Sequence, residues 1–189
     1  MMVSSPQSLQ PPHDLALVID FVNTLDVETG ADALADAGGL RKWLAARDLL
    51  DPAAAEPGER ERRRAVDLRE ALRALMLAHN GAPSDERSGS ALERAARDGH
   101  LGVHFAGDGS AHLDAGGAGF ERALARLLIP VVAASADGSW ERVKACRADD
   151  CMWAFYDRSR NRSGVWCDMA VCGNRTKVRA FRQRAPKRR

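Results

Sequence analysis

Residues 146–172 read CRADDCMWAFYDRSRNRSGVWCDMAVC and hold all four cysteines of this 189-residue chain. The cysteines form two pairs, CRADDC and CDMAVC, with four residues inside each pair and 15 residues between the pairs. In a reduced compartment, two such pairs are typical of a structural zinc site, where four thiolates complete a tetrahedral shell. The predicted zinc ligands are Cys146, Cys151, Cys167 and Cys172. Two disulfide bonds, four unrelated buried thiols and iron in a rubredoxin-like cage are the alternatives.

The surroundings of the cysteines fit a metal site. A segment of about 45 residues buries too little apolar surface to fold alone, so metal binding is expected to supply the missing stability. Lys144, Arg147 and Arg175 are expected to offset part of the negative charge of a zinc ion held by four thiolates. Four aromatic side chains are expected to form a small core around the metal: Trp153, Phe155, Tyr156 and Trp166.

Charge divides the chain into an acidic body and a basic end. Residues 141–189 carry 14 lysine and arginine residues against five acidic ones, whereas residues 1–140 carry 14 basic and 21 acidic residues. A basic segment attached to an acidic body predicts a polyanionic partner for that segment alone. The alternative is a basic surface that is simply solvated.

The segment after the last cysteine predicts a basic helix. Asn174 is expected to cap it, and RTKVRAFRQRA supplies about three turns before Pro186. Val178 and Phe181 are expected to pack on the zinc core. Three arginines recur at i, i+4 and i+7, a face suited to phosphates and guanine edges, and the arginines of YDRSRNRSG suit phosphates. The predicted DNA-contacting residues are Arg158, Arg160, Arg162, Arg175, Lys177, Arg179, Arg182 and Arg184.

Hydrophobic periodicity in the body predicts an α+β, mostly helical fold. Apolar residues recur at helical spacing from Leu15 to Leu25 (where a strand is the alternative), over 59–79 and over 116–135, with a bend expected at Pro130. Alternation on both sides of a GDGS turn predicts a hairpin within 101–115. We therefore expect a disordered leader at 1–14, a helical N-terminal domain with a small β-hairpin at 15–137, and a small zinc-binding module ending in a basic helix at 138–189.

The body shows little chemistry. Asn23 and Thr24 are polar residues in an apolar helix, so they are ligand-pocket candidates, although satisfying buried backbone is the interpretation we favour. His104 and His112 are expected to face each other on the hairpin as surface residues. Without a glycine-rich phosphate loop or a nucleophile elbow, we expect no enzyme activity. The short apolar runs and the N-terminal composition predict a cytoplasmic protein with no membrane partner.

Several of these segments resemble a known pair of domains. CRADDC, FYDRSRNRSGVWC and CGNRTKVRAFRQR resemble the CGNR zinc finger, and LALVIDFVNTLD with the following LRKWL resembles the ABATE domain that precedes it. The resemblance covers nearly the whole chain and implies a bacterial, stress-induced transcription regulator. It also implies zinc binding by the four cysteines and DNA binding by the finger. One departure is Ser163–Val165, where relatives tend to carry arginines.

We therefore expect a zinc-dependent DNA-binding transcription regulator. In this hypothesis the finger helix at 174–185 contacts duplex DNA, and the N-terminal domain serves sensing of a small-molecule effector or dimerisation into a homodimer. An RNA-binding or protein-interaction zinc module without operator specificity is one alternative. An enzyme in the body, with the finger as a targeting device, is the other. A binding affinity that falls steeply with salt concentration, together with a preference for duplex DNA, would favour the DNA-binding regulator over the two alternatives.

Overall fold

In the computed structural model, which describes residues 11–184, helices alternate with two short antiparallel hairpins. The α-helices are α1 Leu15–Val22, α2 Ala37–Ala45, α3 Glu59–Ala78, α4 Glu86–Asp98, α5 Gly119–Arg126, α6 Ile129–Asp137 and α7 Asn174–Arg184. One hairpin pairs β1 Leu101–Phe105 with β2 Ala111–Ala115, and the other pairs β3 Val143–Ala145 with β4 Ala154–Tyr156. A 3-10 turn, Trp140–Arg142, precedes β3, and a π-helical turn, Met169–Gly173, precedes α7. The α+β, mostly helical prediction is confirmed. Most of the predicted leader lies outside the described residues.

Helix α3 organises the body, because it is the longest helix, at 20 residues, and presents one apolar face. Leu68, Leu72 and Met76 recur on that face at helical spacing and are buried against α1 and α4. At its start, the Glu61 carboxylate accepts a hydrogen bond from the backbone N–H of Gly58 at 3.1 Å, which satisfies a free donor of the first turn. Within residues 11–184, no helix is both long and apolar enough to cross a lipid bilayer.

Two boundaries differ from the predicted ones. Helix α1 ends at Val22, so Leu25 lies beyond it and pairs instead with Asp32 in an isolated β-bridge. The single bent helix expected over 116–135 is two helices, α5 and α6. Pro130 lies in the first turn of α6, where its missing N–H costs no hydrogen bond, so this proline helps begin a helix instead of bending one.

The predicted hairpin near residue 105 is confirmed. In β1–β2, His104 lies directly opposite His112, and their stacked rings have centroids 5.9 Å apart. Both side chains are exposed, as expected of surface histidines. The hairpin therefore leaves this pair at the surface, on strands that carry the exposed Val103 and Phe105 as well.

The hairpin β3–β4 packs on the helical body and shares its hydrophobic core. Trp140, Val143, Ala145 and Ala154 belong to the same cluster of buried side chains as the apolar faces of α1 and α3. The rings of Trp140 and of His79, the residue that caps the C-terminus of α3, also pack edge to face, with centroids 5.3 Å apart. The predicted units at 15–137 and 138–189 are thus joined by one continuous core.

Polar side chains of the body complete the backbone hydrogen bonds of this hairpin. The Asn23 amide donates to the carbonyl of Ala154 at 2.9 Å and accepts from the N–H of Ala154 at 2.7 Å, as a neighbouring strand would. The Asn80 amide donates to the carbonyls of Ala145 and Val165, both at 2.8 Å. The side-chain amides of Asn23, just after α1, and of Asn80, just after α3, therefore take the place of a third strand beside β3–β4.

Other polar side chains near α1 also form hydrogen bonds with buried backbone groups. The Thr24 hydroxyl donates to the carbonyl of Phe21 at 2.7 Å and accepts from Arg69 at 3.2 Å. The buried Arg73 donates to the carbonyl of Val22 at 2.7 Å and to that of Met152 at 2.8 Å. Of the two interpretations offered for Asn23 and Thr24, the structure shows the satisfaction of buried backbone.

Replacing Asn80 by alanine should destabilise the whole protein. The change leaves the buried carbonyl of Ala145 without the Asn80 donor and leaves that of Val165 with only the N–H of Arg147 at 3.3 Å, so we expect the free energy of unfolding to fall by about 1–3 kcal/mol. Urea denaturation followed by tryptophan fluorescence measures this loss. Asn161→Ala, at an exposed loop position, is the matched control and should change little. Separate unfolding transitions for the helical body and the hairpin would contradict a shared core.

Candidate metal centre and nucleic-acid interface

The four cysteines converge at one end of β3–β4. Their sulfur atoms all lie within 4.8 Å of one another, and none forms a disulfide bond. The sulfur atoms of Cys151 and Cys167 are 3.5 Å apart, and those of Cys167 and Cys172 are 3.7 Å apart. A tetrahedral zinc ion with Zn–S bonds of about 2.3 Å places its sulfur ligands about 3.8 Å apart. The structure therefore brings together all four predicted ligands in a spacing suited to a metal ion.

The first cysteine pair belongs to the turn that closes the hairpin. The N–H of Cys146 donates to the carbonyl of Trp153 at 2.9 Å, which extends the β3–β4 ladder by one step. The N–H of Cys151 then donates to the carbonyl of Ala148 at 2.9 Å, forming a tight turn. Met152 has a left-handed φ of 49°, which returns the chain to β4. The four residues between Cys146 and Cys151 therefore belong to the turn that joins β3 to β4.

The second pair is held by the π-helical turn. The Asp168 carboxylate accepts from the N–H groups of Ala170 at 2.7 Å and Val171 at 3.2 Å, and the Asp168 carbonyl accepts from the N–H of Cys172 at 2.9 Å. Asp168 is therefore the N-terminal cap, and the prediction that Asn174 fills this role is wrong. Asn174 already has helical backbone angles and donates to the carbonyl of Ala170 at 3.0 Å.

Burial makes the thiol cluster suited to a cation. Burial raises the pKa of the Cys167 thiol and raises that of Cys172 to about 11. Burial also opposes ionisation of Cys146, but hydrogen bonds from the backbone N–H groups of Ala148 and Cys167 outweigh it and lower the pKa of Cys146. Buried thiols of this kind ionise together only when a cation balances their charge. The cluster is therefore a candidate metal site, and a metal ion that binds there displaces the protons of the thiols.

One of the three cations expected near the sulfurs lies there. A guanidinium nitrogen of Arg175 is 3.7 Å from the sulfur of Cys172. Arg147 is exposed to solvent. The expectation for Lys144 is wrong, because its ammonium group is buried against the Asp157 carboxylate at 2.8 Å.

The small core at the metal site also differs from the predicted one. Trp166 packs on the buried cysteines together with Ala148. Tyr156 packs on the main core of the body, and Trp153 is exposed. The aromatic residues of the finger therefore serve two different surfaces, and within residues 11–184 Trp166 is the aromatic residue that packs on the sulfurs.

The buried Lys144–Asp157 pair organises the arginine loop. Lys144 also donates to the carbonyls of Arg162 at 2.5 Å and Gly164 at 3.1 Å. Burial opposes ionisation of Asp157, but hydrogen bonds from Lys144, from Ser159 and from the N–H of Gly164 outweigh it and lower its pKa to about 2. A Cβ atom at Gly164 would lie 2.7 Å from a carboxylate oxygen of Asp157. Any larger residue at this position would therefore have to displace the Asp157 carboxylate.

The loop around this pair exposes its three arginines. Arg158 lies over the ring of Tyr156, with its guanidinium carbon 6.0 Å from the ring centroid. Arg160 is exposed, and Arg162 pairs with the Glu141 carboxylate at 2.5 Å. The three side chains predicted to contact phosphates are thus accessible to a ligand.

Helix α7 extends from the metal site, and its main contacts are with the π-helical turn that precedes it. Arg175 pairs with Glu28 at 2.7 Å and with Asp150 at 3.2 Å, and Arg179 pairs with Asp150 at 2.8 Å. Two of the three arginines expected to read DNA are therefore turned towards acidic residues of this chain. Lys177 and Arg182 are exposed, and the side chain of Arg184 lies outside the described residues.

The apolar residues of α7 contradict the prediction made for them. Val178 is 47% exposed and Phe181 is 76% exposed, so neither packs on the metal core. The residues that orient α7, Asp150 and Glu28, did not emerge from the sequence. The Asp168 cap had a local signal, since an aspartate preceded the helical segment, but Glu28 lies 147 residues from its partner and had none.

Comparison with known families gives two matches. The model of the ABATE family, described as "Putative stress-induced transcription regulator", matches residues 15–138. The model of the CGNR zinc finger matches residues 142–185. The two matches together include the helical body, both hairpins and α7, and they confirm the resemblance carried by the motif residues. No curated protein matches the chain.

Replacing Cys172 by serine should abolish tight metal binding. The variant removes one of four ligands, so we expect metal affinity to fall more than about 100-fold, beyond the loss typical of residues that only support a ligand. Titration with Co²⁺, followed by the absorption bands of thiolate-bound cobalt, measures this affinity. Val171→Ser, next to Cys172 and exposed, is the matched control and should bind normally. Equal cobalt binding by both variants would contradict a four-thiolate site.

Proposed function

Because this chain belongs to the ABATE family and carries a CGNR zinc finger, we propose that it is a zinc-dependent transcription regulator whose finger binds duplex DNA. The observation that carries this proposal is the position of α7. A basic helix leaves the body directly at the last cysteine, and it packs mainly on the turn that this cysteine belongs to. Binding of the metal ion therefore also fixes the position of the helix.

Zinc is the metal that fits the site best. Four thiolates favour zinc over the hard cations magnesium and calcium, which prefer oxygen ligands. A shell of four sulfurs leaves no position for water or substrate, so the ion stabilises the fold and does not act in catalysis. We accordingly propose a regulator and not an enzyme.

The dimensions and charge of α7 suit a DNA groove. Its 11 residues contain no acidic side chain and extend about 16 Å at 1.5 Å per residue, and the major groove is about 12 Å wide. The arginine loop leaves β4 at the opposite end of the short hairpin, about 10 Å away at 3.3 Å per residue. With α7 in the groove, we propose that exposed arginines such as Arg158 and Arg160 contact flanking phosphates, which dominate binding affinity.

The N-terminal domain is proposed to sense an effector or to join two copies of the chain. A single finger contacts few base pairs, so a homodimer would supply a second half-site. The shared core supports such a role, because a change in α1 or α3 alters the surface on which β3–β4 rests. Asn23, Asn80 and Arg73 are among the residues that form direct polar links between the two parts.

Binding to duplex DNA should depend steeply on salt and on Arg182. We expect log affinity to fall with log salt concentration with a slope of about 0.9 for each phosphate contacted. Arg182→Ala should reduce that slope by about one contact and weaken binding to all duplexes alike. Fluorescence anisotropy of the zinc-loaded protein measures both quantities. Arg97→Ala, an exposed arginine on α4, is the matched control. Absence of duplex binding at low salt, or tighter binding to structured RNA, would contradict the proposal.

Removing the acidic partner of Arg179 should strengthen DNA binding. Asp150 pairs with both Arg175 and Arg179, so Asp150→Asn releases positive charge towards phosphates. We expect a several-fold gain in duplex affinity at low salt that shrinks as salt screens the charges. Asp149→Asn removes the same charge from the adjacent exposed position and is the control for net charge. Zinc content is measured in parallel. An equal gain in duplex affinity in both variants would show that the pairing of Asp150 with the arginines does not limit DNA binding.

A further inference from the structure

The ion pairs of α7 define which side of the helix faces away from the body. Arg175 and Arg179 both contact Asp150, so their side of α7 is the inner one. An α-helix turns about 100° per residue, so Lys177, two residues from each arginine, lies on the opposite side. Phe181 lies two residues beyond Arg179 and shares that outer side, with Val178 at its edge.

The outer face combines apolar and positively charged side chains. Phe181 and Val178 are three residues apart, a spacing that makes them neighbours on a helix surface, and they are 76% and 47% exposed. Exposed cations flank the pair: Lys177 lies four residues before Phe181, and Arg182 lies four residues after Val178, at the border with the inner side. A single exposed apolar residue is ordinary, but a phenylalanine and a valine together on an extended basic helix indicate a contact surface.

Charge identifies the class of partner that this surface fits. Because α7 carries no acidic residue, its partner is anionic, and it must also offer apolar groups to Phe181 and Val178. Duplex DNA meets both requirements, since its phosphates flank a major groove in which the thymine 5-methyl group is the exposed apolar feature. Guanine offers only hydrogen-bond acceptors there. Of the three arginines suited to guanine, Arg175 and Arg179 are paired with Asp150, and Arg182 lies next to Val178 at the border of the outer face.

We infer that α7 reads thymine: Phe181 and Val178 contact thymine 5-methyl groups in the major groove, while Lys177 and Arg182 contact the adjacent phosphates. This inference rests on the proposed binding of duplex DNA and specifies its base preference. It assigns base recognition to the apolar outer face of α7 and leaves the paired arginines to position the helix.

The test compares two duplexes that differ only in the methyl group. A 20-base-pair alternating A·T duplex is compared with the same duplex containing deoxyuridine in place of thymidine, which keeps every charge and hydrogen-bonding group. The full-length, zinc-loaded protein should bind the thymine duplex more tightly, by about fourfold for each methyl group buried. Phe181→Ala should bind more weakly and should lose the part of the difference that Phe181 supplies, about fourfold for one methyl group. Val132→Ala, exposed on α6, should keep the full difference.

The outcomes separate this inference from the proposed function. If the wild-type protein binds both duplexes with equal affinity, methyl recognition is overturned while DNA binding stands. A Phe181→Ala variant that keeps the full thymine preference overturns the assignment to this residue. If neither duplex is bound at low salt, or if polyglutamate is bound more tightly than DNA, the proposed function itself fails.

Discussion

Four sulfur atoms within 4.8 Å of one another are the constraint on which the C-terminal part of this protein depends. Strands of three residues each are too short to be stable alone. One face of this hairpin rests on α1 and α3, and its turn carries two of the cysteines. Of the other two cysteines, Cys167 precedes the π-helical turn and Cys172 lies within it. A cation among the sulfurs joins these segments, and α7 takes its direction from that junction.

The helical body contributes as much to the finger as the metal site does. Side-chain amides of Asn23 and Asn80 occupy positions where a further strand would stand, and the buried Arg73 contacts backbone carbonyls on both sides of the junction. Such groups are costly to leave unsatisfied in a low-dielectric interior, so their geometry is strongly fixed. Acidic residues from both parts, Glu28 and Asp150, then orient the inner face of α7. The basic helix is therefore positioned by the entire molecule.

Local patterns in the sequence identified the elements and the cysteines, and distant contacts determined the rest. Cysteine spacing predicted the thiol cluster because all four residues lie within 27 positions, and alternation with a GDGS turn predicted β1–β2. The partner of Asn23 lies 131 residues away, which no periodicity reveals. Burial of Val178 and Phe181 is a wrong prediction for a related reason. Hydrophobic periodicity shows that a helix has two different faces, but it does not show which face contacts the rest of the protein. The π-helical turn before α7 rotates the helix differently from an α-turn, which alters that choice.

The continuous core has a consequence for how such a chain evolves. A finger that folds on its own can be moved between proteins by recombination, because its surface is already suited to water. Here Ala145 and Ala154 of the hairpin, and the indole of Trp140 just before it, pack against α1 and α3. A C-terminal fragment cut from the body would therefore expose an apolar surface together with unpaired backbone groups. The two parts are expected to be inherited as a unit. Substitutions in α3 and in β3–β4 should then be coupled, with each side limiting the changes that the other can accept.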